Sequence, residues 1–173
     1  AGVGIELQKG DVAFRCNFAT VDENLVLKDR RAARIKEGTA DLAASLNGMK
    51  LGRHHALFKE GTEHRAVLVL RGKGLSSQVT DTDPHEEGQK ILEAKPLTGK
   101  AKGTAKLLNA FTRKAYDILK DHPVNRERVQ NGLPPANMVV CRGGGIAPDL
   151  QPVTEKFGLK AAGIAGVALI KGM

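Results

Sequence analysis

The spacing of apolar residues along the chain predicts strands that alternate with helices. Apolar side chains occupy the even-numbered positions of 12–18 and would share one face of a strand. Short apolar runs at 66–70 and 138–141 are typical of buried strands. The predicted strands are 12–18, 25–28, 54–59, 64–71 and 138–141, and the predicted helices are 39–48, 86–93, 102–121 and 124–132. This interleaving predicts an α/β fold, with α+β as the alternative: a single domain with a mixed β-sheet flanked by helices.

The helix at 102–121 has the clearest periodicity in the sequence. Its apolar residues recur every three or four positions, which is the spacing of one helix face. We expect the face that carries Leu107, Phe111 and Ile118 to pack on the sheet.

A polar loop follows the buried strand at 66–70 and gathers chemically active side chains. Arg71, Asp81, Asp83 and His85 all lie within fifteen residues, in a stretch that also contains a Gly-x-Gly turn. Binding groups commonly lie on loops that follow buried strands. An alternative for Asp83 is purely structural, because an aspartate before a proline is a common N-cap of a helix, here the one predicted at 86–93.

Composition and charge narrow the class of protein. The chain has 173 residues, 41% of them hydrophobic, and a net charge of +8. A basic chain favours anionic partners such as nucleic acid or phosphorylated metabolites, although dispersed charge also serves solubility. Aromatic residues make up only 3% of the chain, so the stacking platforms of a nucleic-acid-binding module are poorly represented. The sequence has no long apolar run and no secretory signal pattern, so we expect no membrane span and no membrane partner. The two cysteines lack a metal-ligand spacing, and a cytoplasmic, reduced protein is the simplest interpretation.

The sequence motifs give no metal site and no nucleophile in this chain. The five histidines lack the spacing of a metal-ligand motif, and Cys16 and Cys141 do not stand in a ligand pair. No serine has the context of an activated nucleophile. The glycine-rich stretches 72–74 and 143–145 could bind phosphate through backbone N–H groups, but they lack the spacing of a P-loop.

Arginines beside predicted strand ends are the strongest candidates for binding a small anion. The planar guanidinium group binds carboxylates and phosphates through two parallel hydrogen bonds. The alternative is that some of them form surface ion pairs of little energetic value. The candidates are Arg15, Arg30, Arg31, Arg34, Arg71 and Arg142.

The ends of the chain suggest a piece of a longer polypeptide. The last fifteen residues are apolar almost to the end, and we expect a strand at 159–164 and a helix from 166. A complete domain seldom ends in such a segment.

Four long segments closely resemble one family of enzymes. They are, in chain order, GDVAFRCNFATVDENLVLKDRRAARI, HRAVLVLRGKGLSSQVTDTDPH, DHPVNRERVQNGLPPANMVVCRGGG and FGLKAAGIAG. In this order they resemble the archaeal-type 2,3-bisphosphoglycerate-independent phosphoglycerate mutases of the alkaline phosphatase superfamily. The resemblance implies an isomerase of glycolysis and gluconeogenesis that interconverts 3-phosphoglycerate and 2-phosphoglycerate through a phosphoserine and two divalent metal ions, manganese or magnesium.

The resemblance also implies how the chain divides and what it lacks. Residues 1–158 would be the inserted substrate-binding domain, and residues 159–173 the start of the return into a metal-binding phosphatase domain. The phosphorylated serine and the metal ligands would lie outside this chain, so we expect no bound metal and no activity from the fragment alone. An alternative is a related superfamily metallo-hydrolase acting on another phosphorylated small molecule.

Site roles follow from the resemblance in two groups. The carboxylate and phosphate of phosphoglycerate would be held by Arg15 with Asn17 and by Arg30, Arg31 and Arg34. The groups that handle the hydroxyls would be Asp81, Asp83 and His85. Arg71 joins these as a candidate binding residue, and Lys160 and Arg142 are candidate phosphate contacts.

Overall fold

The computed structural model describes residues 2–147, 153–158 and 160. The predicted strand at 159–164 and the predicted helix from 166 fall outside the described residues, except for Lys160. The proposed second segment, residues 159–173, also lies outside the described residues, again except for Lys160.

A six-stranded sheet forms the centre of the fold. The strands are β1 (Val12–Val21), β2 (Leu27–Asp29), β3 (Met49–Leu51), β4 (His54–Glu60), β5 (Arg65–Arg71) and β6 (Met138–Ile146). Their order is β2-β1-β5-β4-β3, and β6 pairs with β1 as well. The long strand β1 is therefore central and contacts three neighbours.

The α/β class and the single domain are confirmed, but the sheet is not mixed. All strand pairs in the described part of the chain are antiparallel. Short turns connect β1 to β2 and β4 to β5, and such turns force neighbouring strands to run in opposite directions. Strands and helices alternate along the sequence without forming the crossover that a parallel pair needs.

Helices cover the face of the sheet that carries the even-numbered residues of β1. They are α1 (Thr39–Leu46) and α2 (Lys102–Leu119). A shorter helix, α3 (Pro123–Gln130), follows α2, and a short α4 (Val153–Phe157) follows β6. Phe18 stacks edge-on against Phe58, and Phe58 contacts the ring of Phe111 from α2. This aromatic contact joins α2 to the centre of the sheet.

The buried stripe of α2 is displaced from the predicted one. Phe111 is buried as expected, but Ile118 is 39% exposed and Leu107 is only partly buried. The residues that face the sheet are Thr104, Ala105, Leu108, Phe111, Thr112, Ala115 and Leu119. At about 100° per residue, Leu107 and Ile118 lie on the flank of this stripe.

The predicted helix at 86–93 does not form, and Asp83 does not cap it. The backbone of this segment instead pairs with the chain around β2: Leu27 donates to the carbonyl of Gln89, and Ile91 donates to the carbonyl of Leu25. His85 has a φ of 64°, in the left-handed region, so a helix could not continue through it.

Strand β6 is longer than predicted, because it includes the glycine-rich stretch. The triple glycine belongs to a ladder with β1 and is not a free phosphate-binding loop. A Cβ on Gly144 would lie 2.9 Å from the Phe14 ring and 3.1 Å from the carbonyl oxygen of Ser77, so the backbone approaches this closely only without a side chain.

Candidate functional site

The face of the sheet opposite the helices carries a row of polar side chains on three adjacent strands. On β1, Arg15 and Asn17 point to this face because their neighbours fill the core. The strand register puts Arg142 of β6 opposite Arg15, and Arg65 of β5 opposite Asn17. The lining of a cavity of about 530 Å³ includes these four residues, and apolar residues such as Val67 and Ile146 form much of the rest.

Arg15 is available to bind an anion. It is exposed, and its side chain makes no hydrogen bond and no ion pair with any residue that the structure describes. Its guanidinium passes over Gly143, where a Cβ would lie 3.5 Å from Nη2. Gly143 has a φ of 61°, which explains why a glycine stands there.

A buried carboxylate, that of Asp83, holds two arginines beside this row. Its side chain is fully buried, and Nε and Nη2 of Arg30 donate to it at 2.7–3.0 Å. Nη1 of Arg142 donates to Oδ2 at 3.1 Å, and the backbone N–H of His85 donates to Oδ1 at 2.9 Å. Asp83 therefore fixes the positions of the Arg30 and Arg142 guanidinium groups through these hydrogen bonds.

The charge of Asp83 is maintained by these contacts. Burial alone raises the pKa of the Asp83 carboxyl. The hydrogen bonds from Arg30 and from the His85 backbone, with the positive charge of Arg30, outweigh burial and keep the pKa below its usual value. Asp83 is ionised at neutral pH and compensates part of the positive charge of the site.

His85 and Asp81 form a second hydrogen-bonded pair next to Arg30. Nη2 of Arg30 lies 2.9 Å from Nδ1 of His85, and a guanidinium can only donate, so Nδ1 accepts. The proton of the neutral ring is then on Nε2, which donates to Oδ2 of Asp81 at 3.1 Å. The other oxygen of Asp81 accepts the backbone N–H of Gly143 at 2.9 Å.

The loop at 29–34 presents its arginines through a left-handed turn. Ala32, Ala33 and Arg34 have φ values of 46°, 53° and 54°, which costs alanine roughly 1–2 kcal/mol per residue. Oxygens of Asp29 accept the backbone N–H groups of Arg31 and Ala33, and Arg128 donates to the carbonyl of Ala32 at 2.9 Å. These contacts offset the strain and leave Arg31 and Arg34 exposed.

Asn17 links this loop to the sheet. Its Nδ2 donates to the carbonyl of Arg30 at 3.2 Å, which fixes the orientation of the amide. Its Oδ1 is buried and has no hydrogen-bond partner, although the residue lines the cavity.

The structure brings together most, but not all, of the residues singled out in the sequence. Arg30, Asp81, Asp83, His85 and Arg142 form one hydrogen-bonded network. Arg15 and Asn17 adjoin this network on the sheet, while Arg31 and Arg34 follow Arg30 in its loop.

Arg71 lies away from this network. It is bound to Asp11, with Nη2 at 2.7 Å from Oδ2, and it also donates to the carbonyl of Glu6. It follows Leu70, which pairs with Val12 at the start of β1, five residues or roughly 17 Å from Asn17 along the strand. Lys160 is exposed.

Sequence reasoning missed two adjacent residues, His64 and Arg65. Arg65 reaches the cavity only because of the register between β1 and β5. His64 is 4% exposed, and its Nδ1 has no hydrogen-bond partner. The position of His64 and Arg65 at the start of a predicted strand was the signal in the sequence that could have indicated them. The sequence does not determine the register of the two strands, and so not which residue of β1 lies opposite Arg65.

The two cysteines meet in the core. Cys16 and Cys141 are paired across β1 and β6, with their sulfur atoms 3.3 Å apart, and both are free thiols. Burial, followed by the hydrogen bond between the two thiols, raises the pKa of the Cys141 thiol well above its usual value, so this thiol stays protonated.

Residues 2–147, 153–158 and 160 contain neither a metal-ligand cluster nor a membrane-spanning helix. In this part of the chain, no group of three or more His, Cys, Asp or Glu side chains is arranged to hold a metal ion. No helix there is long and apolar enough to span a membrane.

Taken together, these elements make an antiparallel α/β domain with an arginine-rich face, the kind of surface that suits small oxyanions. Comparison with known proteins identifies the family. The sequence profile of the family described as 2,3-bisphosphoglycerate-independent phosphoglycerate mutase matches residues 1–125. The chain therefore belongs to the 2,3-bisphosphoglycerate-independent phosphoglycerate mutase family.

Individual relatives agree with this assignment. The chain is 50% identical over 176 residues to a mutase of this name from Methanosphaera stadtmanae and 49% identical over 175 residues to one from Methanocaldococcus jannaschii. These matches cover 100% and 99% of this chain but 43% of each relative.

A solved structure has the same fold. The cofactor-independent phosphoglycerate mutase from Thermoplasma acidophilum superimposes with a TM-score of 0.83 at 40% identity, over 99% of this chain and 47% of that chain. The chain thus spans less than half the length of the relatives that it matches.

Proposed function

We propose that this chain is the substrate-binding part of an enzyme that interconverts 3-phosphoglycerate and 2-phosphoglycerate. The family assignment supports the reaction, and one structural observation supports the role of this part. That observation is the arginine row beside a buried aspartate: Arg15 has no partner among the described residues, and Asp83 holds Arg30 and Arg142 next to it. Guanidinium groups held in this way suit a small acid that carries both a carboxylate and a phosphate.

The buried position of Asp83 suggests a different role from the one expected for it. A fully buried carboxylate whose oxygens already accept hydrogen bonds is poorly placed to act on a ligand hydroxyl. In our proposal, Asp83 positions Arg30 and Arg142, and these arginines bind the ligand.

His85 remains the candidate for handling a hydroxyl proton. It is exposed, Asp81 orients its ring, and its Nδ1 is an acceptor. If Arg30 turns towards a bound oxyanion, this nitrogen becomes free to accept a proton from a hydroxyl of the glycerate.

The remaining parts of the enzyme would come from outside the described residues. The two divalent metal ions, manganese or magnesium, and the phosphorylated serine would belong to the phosphatase domain of the same polypeptide. The metals would supply charge stabilisation during phosphoryl transfer. The residues of this chain would hold the glycerate while its phosphate changes position, and prevent its escape. A cytoplasmic location accords with a reaction of glycolysis and gluconeogenesis.

Kinetics of the full-length protein that carries this chain test the proposal. Wild-type protein should interconvert the two phosphoglycerates, and Arg15→Ala, Arg30→Ala and Arg31→Ala should each lower kcat/KM by about tenfold or more, or ~1.4 kcal/mol. The matched control is Arg113→Ala. Arg113 is an exposed residue of α2 that pairs with Glu93 in the preceding loop, so this variant should retain activity. Equal activity in all four variants would refute the proposed binding site.

A further inference from the structure

We propose that Arg65 is a further ligand-binding residue, which donates hydrogen bonds to an oxyanion of the bound phosphoglycerate. This inference rests on the proposed function, because it assumes that a phosphoglycerate occupies the cavity beside β1. It adds a contact from β5 to those from β1, β6 and the loop at 29–34.

The register of the sheet places Arg65 beside the candidate site. Arg65 is directly opposite Asn17, and Arg15 is two residues from Asn17 on the same face of β1. Side chains at such diagonal positions are about 7–8 Å apart at their base, within reach of two arginines that converge on one ligand. Arg65 and Arg142 thus flank β1 from opposite sides, and both line the cavity.

The guanidinium of Arg65 is held only loosely by the protein. Its ion pair is with Glu63, at a distance of 3.8 Å, and 53% of the Arg65 side chain is exposed. Glu63 is shared with His64 at 3.8 Å and Lys36 at 4.0 Å. An exposed pair at this distance contributes little to stability, so a ligand oxyanion can displace Glu63 at small cost.

A second observation comes from Asn17, between Arg15 and Arg65. Asn17 is 3% exposed, and its Oδ1 is buried without a hydrogen-bond partner. Leaving a buried acceptor unpaired is costly, and each such atom in a native protein calls for an explanation. A hydroxyl of the ligand would donate to Oδ1 while Arg15 and Arg65 bind acidic groups on either side, which matches a phosphorylated hydroxy acid.

The experiment measures binding and kinetics of the full-length protein with Arg65→Ala, Arg65→Lys and Glu63→Gln. Arg65→Ala should weaken 3-phosphoglycerate binding about tenfold by calorimetry and raise KM more than it lowers kcat. Arg65→Lys should restore part of the affinity, because lysine keeps the charge but not the planar fork. Glu63→Gln removes the internal partner and should bind at least as tightly as wild type.

Two further ligands distinguish the carboxylate from the phosphate as the bound group. If Arg65 binds the carboxylate, Arg65→Ala should leave the affinity for glycerol 3-phosphate unchanged. If it binds the phosphate, the affinity for glycerol 3-phosphate and for inorganic phosphate should fall as well. Either pattern supports the inference.

Two results would overturn the inference about Arg65 and leave the proposed function standing. One is unchanged affinity in Arg65→Ala while Arg15→Ala loses binding, which would leave the proposed function intact. The other is a Glu63→Gln variant that reproduces the loss seen in Arg65→Ala, since Arg65 would then act only through its internal ion pair. Should neither Arg15→Ala nor Arg65→Ala alter binding, the proposed function fails together with the inference.

Melting temperatures of all variants show whether a loss of binding reflects unfolding. Arg65→Lys serves as the test variant if Arg65→Ala does not fold.

Discussion

At the scale of single residues, the site depends on a buried negative charge that organises exposed positive ones. Asp83 receives hydrogen bonds from two arginines and one backbone N–H, and it has no exposed surface. Its presence in a polar loop could be read from the sequence, because Asp81, Asp83 and His85 stand close together. The identity of its partners could not, since Arg30 and Arg142 are 53 and 59 residues away along the chain.

Removing the charge of Asp83 should damage both stability and activity. In Asp83→Asn the two arginines lose their shared counter-charge, and we expect a loss of about 2–3 kcal/mol in the free energy of unfolding, less than for a fully buried pair because the arginines are partly exposed. In the full-length enzyme, kcat/KM should fall about tenfold or more. Urea denaturation and steady-state kinetics measure the two effects.

The control variant is Asp117→Asn, which removes one partner of an exposed ion pair with Lys120. It should change the free energy of unfolding by no more than about 0.5 kcal/mol and leave kcat/KM close to the wild-type value. Wild-type activity in Asp83→Asn would contradict the positioning role.

His64 should make the stability of the chain depend on pH. Burial, followed by the positive charge of Arg65, lowers the pKa of His64 below its usual value. The arginines at 31 and 34 add to this effect, and Glu63 opposes it. The unfolded chain therefore binds a proton on His64 more readily than the folded chain, so stability rises with pH. Above about pH 6.5, the usual pKa of histidine, His64 is neutral in both states and does not reduce the free energy of unfolding. As the pH falls below this value, the unfolded state takes up the proton first, and the free energy of unfolding decreases.

Urea midpoints at pH 7.5, 6.5 and 5.5 test this dependence. His64→Gln should show a smaller loss of stability between pH 7.5 and 5.5 than wild type. His55→Gln, at an exposed position on β4, should retain the wild-type slope. If the two variants lose stability equally, His64 is not the group responsible.

At the scale of elements, the apolar pattern located strands and helices well but failed where other contacts determine the backbone. The alternation in β1 and the periodicity of α2 both correspond to elements of the structure. The segment 86–93 has a helix-like beginning, but its backbone groups pair with the chain around β2. Strand β6 continues through three glycines with low strand propensity because β1 supplies a ladder for them.

The face of α2 that packs on the sheet can be tested directly. Phe111 is fully buried and contacts the ring of Phe58 at a centroid distance of 5.6 Å. Phe111→Ala should lower the free energy of unfolding by about 3–5 kcal/mol, because a large cavity is left in the core. Ile118→Ala, at the exposed flank of the same helix, should cost less than about 1 kcal/mol. Equal losses in the two variants would place Ile118 in the core and contradict the described orientation.

At the scale of the whole molecule, the chain matches only part of the length of its relatives. The chain spans 43% of its curated relatives, and the structure shows an arginine-rich face without a metal-ligand group in the described residues. Resemblance of long motifs identified the family from the sequence, whereas composition and charge indicated only an anionic partner. The convergence of β1, β5 and β6 on one cavity required the register of the sheet, which no local pattern contains.

The most direct test of the central claim is a domain exchange. The matching segment of the Methanocaldococcus jannaschii mutase, 49% identical, is replaced by this chain, and the conversion of 3-phosphoglycerate to 2-phosphoglycerate is measured with manganese by phosphorus NMR. We expect mutase activity within about tenfold of the parent enzyme, at least a tenfold loss in the same chimaera with Arg15→Ala, and no turnover by the 173-residue chain alone. A folded chimaera that is inactive, or that releases phosphate without forming 2-phosphoglycerate, would contradict it.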